Sequence, residues 1–450
     1  MSYVAMPDAA APAPTIEIMR RFAAAIAALL IAYSLLVWPL LYAVPVHTEL
    51  TGYAAADASD NSALLTRIYV PALFVLAFTL HVGVWPATSR HERAAVWPFA
   101  VFLALAFASA LWSLDPAFTV KKAVYQALLL ATVALSAFAS GDRRQMLGWI
   151  YAMFVIAVAL NLAAVAMNAP GPIGHEGIYT HKNALGHYAA FAFILSLHYL
   201  FAGRGAVRLV AAVMIAASVV LMIAAQSKTA IAFAAVAPAA GLMLYAAARV
   251  FAAQPLATIV VLSAIAAASF VIAGQIFGFD LSDLLILTYG DDTFTGRTDI
   301  WNFAFNHIAE RPVLGHGYQA FWGIGPESPK FRAEMAFIAR MPHAHNGYID
   351  ILLTLGAAGL AVYLYVHARV LNRARAAILG GQASFAILYL SLFVFLAGSN
   401  FLESSTLVAE DVSAIIFLLL PFLAAMREGR VAGEIVELRR VGAAGLRATQ

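Results

Sequence analysis

Long apolar runs recur along this chain from one end to the other, and polar residues gather between them. A helix of about twenty apolar residues can cross the hydrocarbon core of a bilayer. Backbone groups in hydrocarbon must be paired within their own segment, which favours helices. The runs predict twelve membrane-spanning helices, at residues 20–44, 67–86, 94–113, 119–139, 146–168, 184–202, 207–225, 229–248, 256–279, 347–369, 383–402 and 410–426. We therefore expect an all-α polytopic membrane protein.

One long polar stretch interrupts this pattern between the ninth and tenth predicted spans. We expect it to be a large loop that carries the function and contains short helices, presented by the spans on either side. The predicted units are a disordered tail at 1–19, helices at 20–279, the catalytic loop at 280–346, helices at 347–426 and a second tail at 427–450.

Two segments of the loop have helical patterns. Residues 299–309 place Trp301, Phe305 and Ile308 on one face of an amphipathic helix, because residues four and seven positions apart share a face. Thr298 or Asp299 is its expected N-cap. Residues 329–341 predict a second helix, lying on the membrane surface or across a cavity mouth.

The composition agrees with a membrane protein and narrows the chemistry. Of the residues, 63% are hydrophobic and only 11% are charged, whereas soluble domains have roughly 25% charged residues. A net charge of +3 is too small to indicate nucleic-acid binding. The chain has no cysteine, which excludes disulfides, thiolate metal sites and thiol catalysis.

The basic residues predict the orientation. Of the 27 Lys and Arg residues, seventeen fall on the side that carries both termini. Ten fall on the other side, and five of those lie in the long loop, which the positive-inside rule for short loops does not count. Seventeen against five places both termini in the cytoplasm and the long loop outside.

All the lysines belong to the outer side, whereas the cytoplasmic basic residues are all arginine. The lysines are Lys121, Lys122, Lys182, Lys228 and Lys330. One interpretation is snorkelling, in which long cationic side chains reach from a helix end to the interface. The other is a basic site for an anionic lipid headgroup, to which Arg297 would add.

Two of these lysines stand where spans begin. The glycine- and proline-rich turn before the sixth span ends in His181, Lys182 and Asn183, and Lys228 opens the eighth span. A helix N-terminus offers unpaired N–H groups and the positive end of the helix dipole, both of which favour phosphate. We expect these residues, with Lys121 and Lys122, to bind an anionic substrate.

His343 and His345 are separated by one residue at the end of the loop. A zinc site needs three or four convergent ligands, and the sequence offers no obvious companion set, since Asp291 and Asp292 are adjacent rather than a spaced pair. We therefore expect no metal and no other cofactor. His343 follows Pro342 and fits a helix-entry turn, while the imidazole of His345 is suited to take a proton from a hydroxyl.

Arg297 follows a glycine at the start of the first loop helix. A guanidinium keeps its charge and binds phosphate oxygens in a planar, bidentate way. The alternative is a loop salt bridge with Asp299 or Glu310, which would contribute little stability. Asp350, four residues into a span, is the main charged residue within the spans, and we expect it to partner His345 or an outer lysine.

Three motifs resemble bacterial O-antigen ligases, whose superfamily includes O-antigen polymerases and protein O-oligosaccharyltransferases. His345-Asn346, followed after nine residues by Gly356-Ala-Ala-Gly359, is similar to the C-terminal signature of these ligases. The loop motifs that resemble the superfamily are Gly296-Arg297-x-x-Ile300-Trp301 and Arg311-Pro312-x-x-Gly315-x-Gly317. The detailed resemblance covers roughly residues 175–360.

The resemblance implies an inverting, metal-independent glycosyl transfer on the periplasmic face of the bacterial inner membrane. The implied donor is a polysaccharide on undecaprenyl pyrophosphate, and the implied acceptor is a sugar hydroxyl of lipid A–core. The family's catalytic histidine falls on His345 and its loop arginine on Arg297. A second family arginine falls on Lys228, which keeps the charge but loses the bidentate geometry.

Three alternatives stay open. A polymerase of the same superfamily would use the same residues with a growing glycan as acceptor. A protein O-glycosylating enzyme would need a peptide groove, for which the sequence shows no feature. A transporter of lipid-linked glycans would have charges buried in mid-span, whereas polar residues here gather at the outer helix ends.

Cysteine labelling tests the predicted topology, since the chain has no cysteine of its own. Cysteine at position 330 should react with a membrane-impermeant maleimide in whole cells, because that residue lies in the outer loop. Cysteine at position 373 should react only after the membrane is permeabilised. Protection of residue 330 in whole cells, relieved by permeabilisation, would overturn the orientation and with it the outer location of the site.

Overall fold

The computed structural model describes residues 14–42, 54–85, 90–251, 254–277, 297–404 and 411–426. These residues fold as helices joined by turns. The helices are α1 (Pro14–Ala32, continued by a π-helical turn Tyr33–Val37 and by Trp38–Tyr42), α2 (Ala54–Val84), α3 (Arg90–Ala108), α4 (Pro116–Ser140), α5 (Arg143–Met167), α6 (Lys182–Ala202), α7 (Ala206–Ala224), α8 (Lys228–Val250), α9 (Pro255–Phe277), α10 (Arg297–Glu310), α11 (Gly347–Leu379), α12 (Ala383–Ser399) and α13 (Val412–Ala425).

The all-α polytopic class is confirmed. A helix lies at each predicted span, and eight helices within the described residues are long and apolar enough to cross a membrane. Shorter apolar helices at Ile68–Val84, Pro255–Ile265, Ala383–Ser399 and Val412–Ala425 occupy the other four predicted positions. The number of spans and their orientation stay predictions.

The first helix begins earlier in the chain than the first predicted span. The first helix begins at Pro14, within the range 1–19 that was expected to be disordered, and residues 1–13 lie outside the described residues. Proline is well suited to the first turn of a helix, because its missing N–H has no partner there in any case. Glu17 and Arg21, one helical turn apart, form an ion pair at 3.3 Å.

The first loop helix is confirmed, but its cap and its buried face differ from the prediction. The helix already includes Arg297, so Thr298 and Asp299 are helical residues rather than N-caps. Ile300 and Ala304 are buried, whereas Phe305 is 49% exposed. The buried face therefore begins one residue earlier than the aromatic spacing suggested.

The prediction of a second loop helix at 329–341 is wrong. Two short 3₁₀ turns occupy this range, at Pro329–Arg332 and Ile338–Arg340. The backbone of Ala333, between them, is extended, with φ −65° and ψ 140°, and a helix cannot pass through such a residue. Apolar spacing alone did not reveal this break.

Small residues let the helices approach closely at the end of the bundle that meets the loop. A Cβ on Gly186 of α6 would collide with Ser227, and one on Gly398 of α12 would collide with Phe233 of α8. Such small residues are the usual means by which membrane helices pack. They bring the N-termini of α6 and α8 next to the end of α12.

Helix α11 is broken at Gly356, whose φ of 64° and ψ of −164° are not helical. The break leaves backbone groups without helical partners, and the loop segment 312–317 supplies them. The N–H groups of His316 and Gly317 donate to the carbonyls of Leu353 and Thr354, at 3.1 and 2.8 Å. In return, two N–H groups just after the break donate to the carbonyls of the segment, Ala357 to Pro312 and Ala358 to Val313.

This exchange explains two of the motifs that carried the resemblance. A Cβ on Gly356 would collide with the backbone of Val313, and a Cβ on Gly315 would collide with the backbone of Thr354. Both glycines also have positive φ, 64° and 65°. The two glycine motifs are therefore the two sides of one backbone contact that fixes the loop onto α11.

Substituting Gly356 tests this contact. Gly356→Ala should lower the melting temperature of the purified protein, because strain at such a backbone conformation costs about 1–3 kcal/mol before any collision is counted. Gly148→Ala is the matched control: Gly148 lies inside α5 with open space around it, where alanine is the better helix former. Equal melting temperatures for the two variants would contradict the account.

Candidate functional site

Glu403, just after α12, contacts both Arg297 and His345, the two residues predicted to have the central roles. Its Oε1 lies 3.3 Å from Nη2 of Arg297, and its Oε2 lies 3.3 Å from Nδ1 of His345. Asn183 donates from Nδ2 to the same Oε1 at 3.2 Å. One carboxylate thus connects the loop helix α10, the histidine turn and the N-terminus of α6.

The turn that carries His345 is shaped by its neighbours in the chain. His345 has a positive φ of 51°, which is uncommon outside glycine. Its backbone N–H donates to Nδ1 of His343 at 3.1 Å, and the carbonyl of Ala344 accepts from the indole of Trp301 at 3.0 Å. Asn346 then caps α11 by accepting from the N–H groups of Tyr348 and Ile349.

The tautomer of His345 follows from its contact with Glu403. An ionised carboxylate has no proton to donate and can only accept hydrogen bonds. Nδ1 of His345 therefore carries the proton in that contact. In a neutral imidazole the other ring nitrogen, Nε2, then has the free lone pair. The side chain of His345 is 28% exposed. The arrangement is that of a general base oriented by a carboxylate.

The electrostatics keep Glu403 ionised. Burial raises the pKa of this carboxyl, but the hydrogen bond and charge of His345, together with Arg297 and His343, outweigh burial and lower the pKa below its usual value. Burial, followed by the neighbouring His345, lowers the pKa of His343 to about 4. His343 is therefore neutral at neutral pH and leaves the charge balance to Arg297 and Glu403.

A cleft opens beside Glu403 between the ends of α6, α8 and α12, and it encloses about 320 Å³ including solvent. Its lining residues are Asn183, His187, Ser227, Thr229, Ala230, Phe233, Phe395, Ser399 and Glu403. Lys228 stands between two of them at the first position of α8 and is exposed. The polar residues of the lining other than His187 lie at the ends of these helices, and His187, Phe233 and Phe395 lie farther into them.

The structure brings most of the predicted binding residues to this end of the bundle. His181 caps α6 by accepting from the N–H of Asn183 at 3.1 Å. Burial lowers the pKa of His181, against the opposing charge of Glu403. Lys182 is the next residue, and it opens α6. Of these three residues, Asn183 contacts Glu403 directly, and the binding of an anionic substrate by the set stays a prediction.

Lys121 and Lys122 occupy a different place. They lie in the first turns of α4, where the ammonium of Lys122 is 5.5 Å from the ring centre of Phe118. Among the described residues, neither lysine hydrogen-bonds to or pairs with Arg297, His345 or Glu403. Lys330, the loop lysine, donates to the carbonyl of Met341 at 3.0 Å and so supports the loop backbone.

Three of the groups could hold a metal ion. Ligand atoms of His343, His345 and Glu403 lie within 4.8 Å of one another, and two imidazoles with a carboxylate are a common zinc set. Glu403, the third ligand, could not be recognised from the sequence because it lies 58 residues from His345 in the chain. However, Arg297 lies 3.3 Å from the same carboxylate, and its fixed positive charge opposes a second cation there.

The contacts of two acidic residues, Glu403 and Asp350, differ from what the sequence predicted. Glu403 was missed, although it is an acidic residue at the outer end of a predicted span, where a partner for outer cations would be expected. Asp350 was expected to partner His345 or a lysine. It instead accepts from the indole of Trp322 at 2.8 Å, from the backbone of Ala344 and from Ser404.

Comparisons with known proteins bear on the same residues. Residues 211–364 match the family model described as O-Antigen ligase. The exopolysaccharide production protein ExoQ of Rhizobium meliloti (strain 1021) is 29% identical over 293 residues, which are 60% of this chain and 63% of that protein. The range that matches the family model contains Lys228, Arg297, His343 and His345 and ends before Glu403.

A pH series with Glu403→Gln tests the ion pairs. Because folding lowers the pKa of this carboxyl, the stability it contributes is present above its usual value of 4.5 and is lost as the pH falls through the lowered value. Glu403→Gln should therefore melt below the wild type at pH 7, and the difference should shrink below pH 4.5.

The control for this series is Glu327→Gln, an exposed loop carboxyl, which should leave the melting temperature unchanged at both ends of the range. A difference between wild type and Glu403→Gln that is constant with pH, or that grows in acid, would contradict the assignment of Glu403 as an ionised partner of Arg297 and His345.

Proposed function

Because the chain belongs to the O-antigen ligase family, we propose that it transfers a glycan from undecaprenyl pyrophosphate to a sugar hydroxyl, with His345 as the general base. The proposed acceptor is lipid A–core, and the proposed location is the periplasmic face of the bacterial inner membrane. The observation that carries the proposal is the pairing of one carboxylate, Glu403, with both His345 and Arg297.

The proposed reaction is a single displacement. Nε2 of His345 takes the proton of the acceptor hydroxyl, and the acceptor oxygen forms a bond to the anomeric carbon of the donor. The bond from that carbon to the pyrophosphate oxygen breaks on the opposite face, so the configuration inverts. Undecaprenyl pyrophosphate leaves with the electron pair, and Glu403 stabilises the imidazolium that His345 becomes.

Fixed cations supply the charge that the leaving group needs. An arginine side chain has five N–H donors, and the contact with Glu403 uses one terminal nitrogen of Arg297. The same guanidinium can therefore contact phosphate oxygens at its other donors. Lys228 and Lys182, at the first positions of α8 and α6, add charge at helix N-termini, where phosphate is favoured. With these groups the proposal needs no divalent ion.

A polymerase is the second candidate, and one observation favours it. The relative that aligns with 60% of this chain is an exopolysaccharide production protein, so a growing exopolysaccharide is a possible acceptor. The proton transfer and the leaving group would be the same in both reactions. Only the acceptor differs, and the described site does not distinguish a lipid A–core sugar from a glycan end.

Gel analysis of surface polysaccharide in a strain lacking this protein separates the two candidates. Loss of the whole lipopolysaccharide ladder, with the lipid-linked polysaccharide retained, is the result expected of a ligase. Retention of a band with a single repeat on lipid A–core indicates a lipopolysaccharide polymerase. An intact ladder with loss of secreted exopolysaccharide would overturn the lipid A–core acceptor in favour of the second candidate.

Substitutions of Arg297 and Lys228 test whether these side chains bind the pyrophosphate of the donor. Removing a contact that strengthens in the transition state costs about 10²–10³-fold in rate. Arg297→Lys should therefore fail nearly as badly as Arg297→Ala, since a point charge cannot replace the bidentate fork. Lys228→Arg should be tolerated, because the native residue is already a point charge, whereas Lys228→Ala should not.

The measurement is the transfer rate against lipid-linked donor for the purified variants. Lys121→Ala is the control of equal charge change, because among the described residues Lys121 forms no hydrogen bond or ion pair with Arg297, His345 or Glu403. It should mainly raise the donor concentration needed, and that effect should shrink as salt screens exposed charge. Full activity in Arg297→Ala would reduce that residue to a structural partner of Glu403.

A further inference from the structure

Asp350 connects the chain neighbours of both members of the His345–Glu403 pair. Its Oδ1 and Oδ2 accept from the backbone N–H of Ala344, at 3.1 and 3.2 Å. Its Oδ2 also accepts from the hydroxyl of Ser404. Ala344 precedes His345 in the chain, and Ser404 follows Glu403. One carboxylate therefore holds together the two backbone segments that carry the pair.

Asp350 is itself held from two directions. It lies in the first turn of α11, whose N-cap is Asn346. The indole of Trp322 donates to its Oδ1 at 2.8 Å, and Trp322 is packed in a buried cluster with Ile300, Phe321 and Leu353. The position of the carboxylate is thus fixed by α11, which carries Asp350, and by the loop residue Trp322, which bonds to it.

A second contact crosses between the same two segments on the other side of the pair. The N–H of Gly347 donates to the carbonyl of Asn400 at 2.8 Å, and a Cβ on Gly347 would collide with the side chain of Asn400. The turn that carries His345 is therefore joined to the end of α12 on both sides. On one side Asp350 connects Ala344 to Ser404, and on the other Gly347 bonds directly to Asn400. The His345–Glu403 contact lies between these two ties.

We infer that Asp350 is a positioning residue that sets the distance and orientation of His345 relative to Glu403, and that it does so through Ala344 and Ser404. This inference rests on the proposed function, because it assigns to Asp350 the alignment of the base in that reaction. Asp350 does not touch the substrate in this account. Its effect should appear in the catalytic step rather than in donor binding, which Arg297 and Lys228 perform.

Four variants of the full-length protein test the inference. Asp350→Ala removes both arms, and misplacement of a base by about 1 Å can cost about 10²-fold in rate. Asp350→Asn should retain most of the activity, because the amide oxygen can accept from Trp322 and Ala344 while its NH₂ donates to Ser404. Ser404→Ala removes only the arm to Glu403. Ser328→Ala is its control, because that hydroxyl bonds to the carbonyl of Phe321 in the same loop and not to Asp350.

The expected result is a fall in kcat of about 10²-fold in Asp350→Ala with the donor KM unchanged, a smaller fall in Ser404→Ala, and near wild-type rates in Asp350→Asn and Ser328→Ala. Ser404→Ala should cost nothing further when added to Asp350→Ala, because groups in one network are not additive. An unchanged kcat in Asp350→Ala, or full additivity of the two substitutions, would overturn the inference.

Hydrogen–deuterium exchange gives a measurement that does not depend on activity. The amide of Ala344 donates to Asp350, so peptides that cover 343–346 should exchange faster in Asp350→Ala and at the wild-type rate in Asp350→Asn. Unchanged exchange in Asp350→Ala would contradict the inference. If His345→Ala retains transfer, the proposed function fails instead, and the exchange data still report whether Asp350 holds the turn.

Discussion

The shared carboxylate of Glu403 is the interaction on which the site depends. It lies within 3.3 Å of both Arg297 and His345, and it also accepts from Asn183. A partly buried carboxylate costs free energy unless it is paired, and here three partners come from different segments of the chain. The pairing joins a residue suited to accept a proton with one suited to bind phosphate. That combination supports the proposed glycosyl transfer from a pyrophosphate carrier.

The loop can present these groups accurately because it is fixed to the helices by backbone contacts. The break in α11 at Gly356 leaves carbonyl and N–H groups that the segment 312–317 satisfies. The break lies about three turns after Asn346, so the short first part of α11 carries Asp350 and follows the histidine turn directly. A helix defect is thus used to dock a loop, which keeps polar backbone paired at the edge of the membrane region.

The sequence predicted the helices well because their apolar runs are long, and some of the helices begin directly after capping residues such as Asp115 and Asp142. It predicted Arg297 and His345 because each stands beside recognisable neighbours in a motif. Glu403 could not be predicted, because it lies 58 residues after His345 in the chain and approaches it only through the packing of the end of α12 against the start of α11. The prediction of a helix at 329–341 was wrong for a local reason: apolar spacing does not show whether the backbone of a residue such as Ala333 is extended.

The most direct test of the account is the transfer rate of purified protein with lipid-linked donor in the presence of EDTA, for the wild type, His345→Ala and His343→Ala. The account predicts full wild-type activity in EDTA, no transfer by His345→Ala with donor binding intact, and partial activity in His343→Ala, whose ring shapes the turn. Loss of wild-type transfer in EDTA, restored by a divalent ion, would show that His343, His345 and Glu403 hold a metal and would contradict the assignment of His345 as the base.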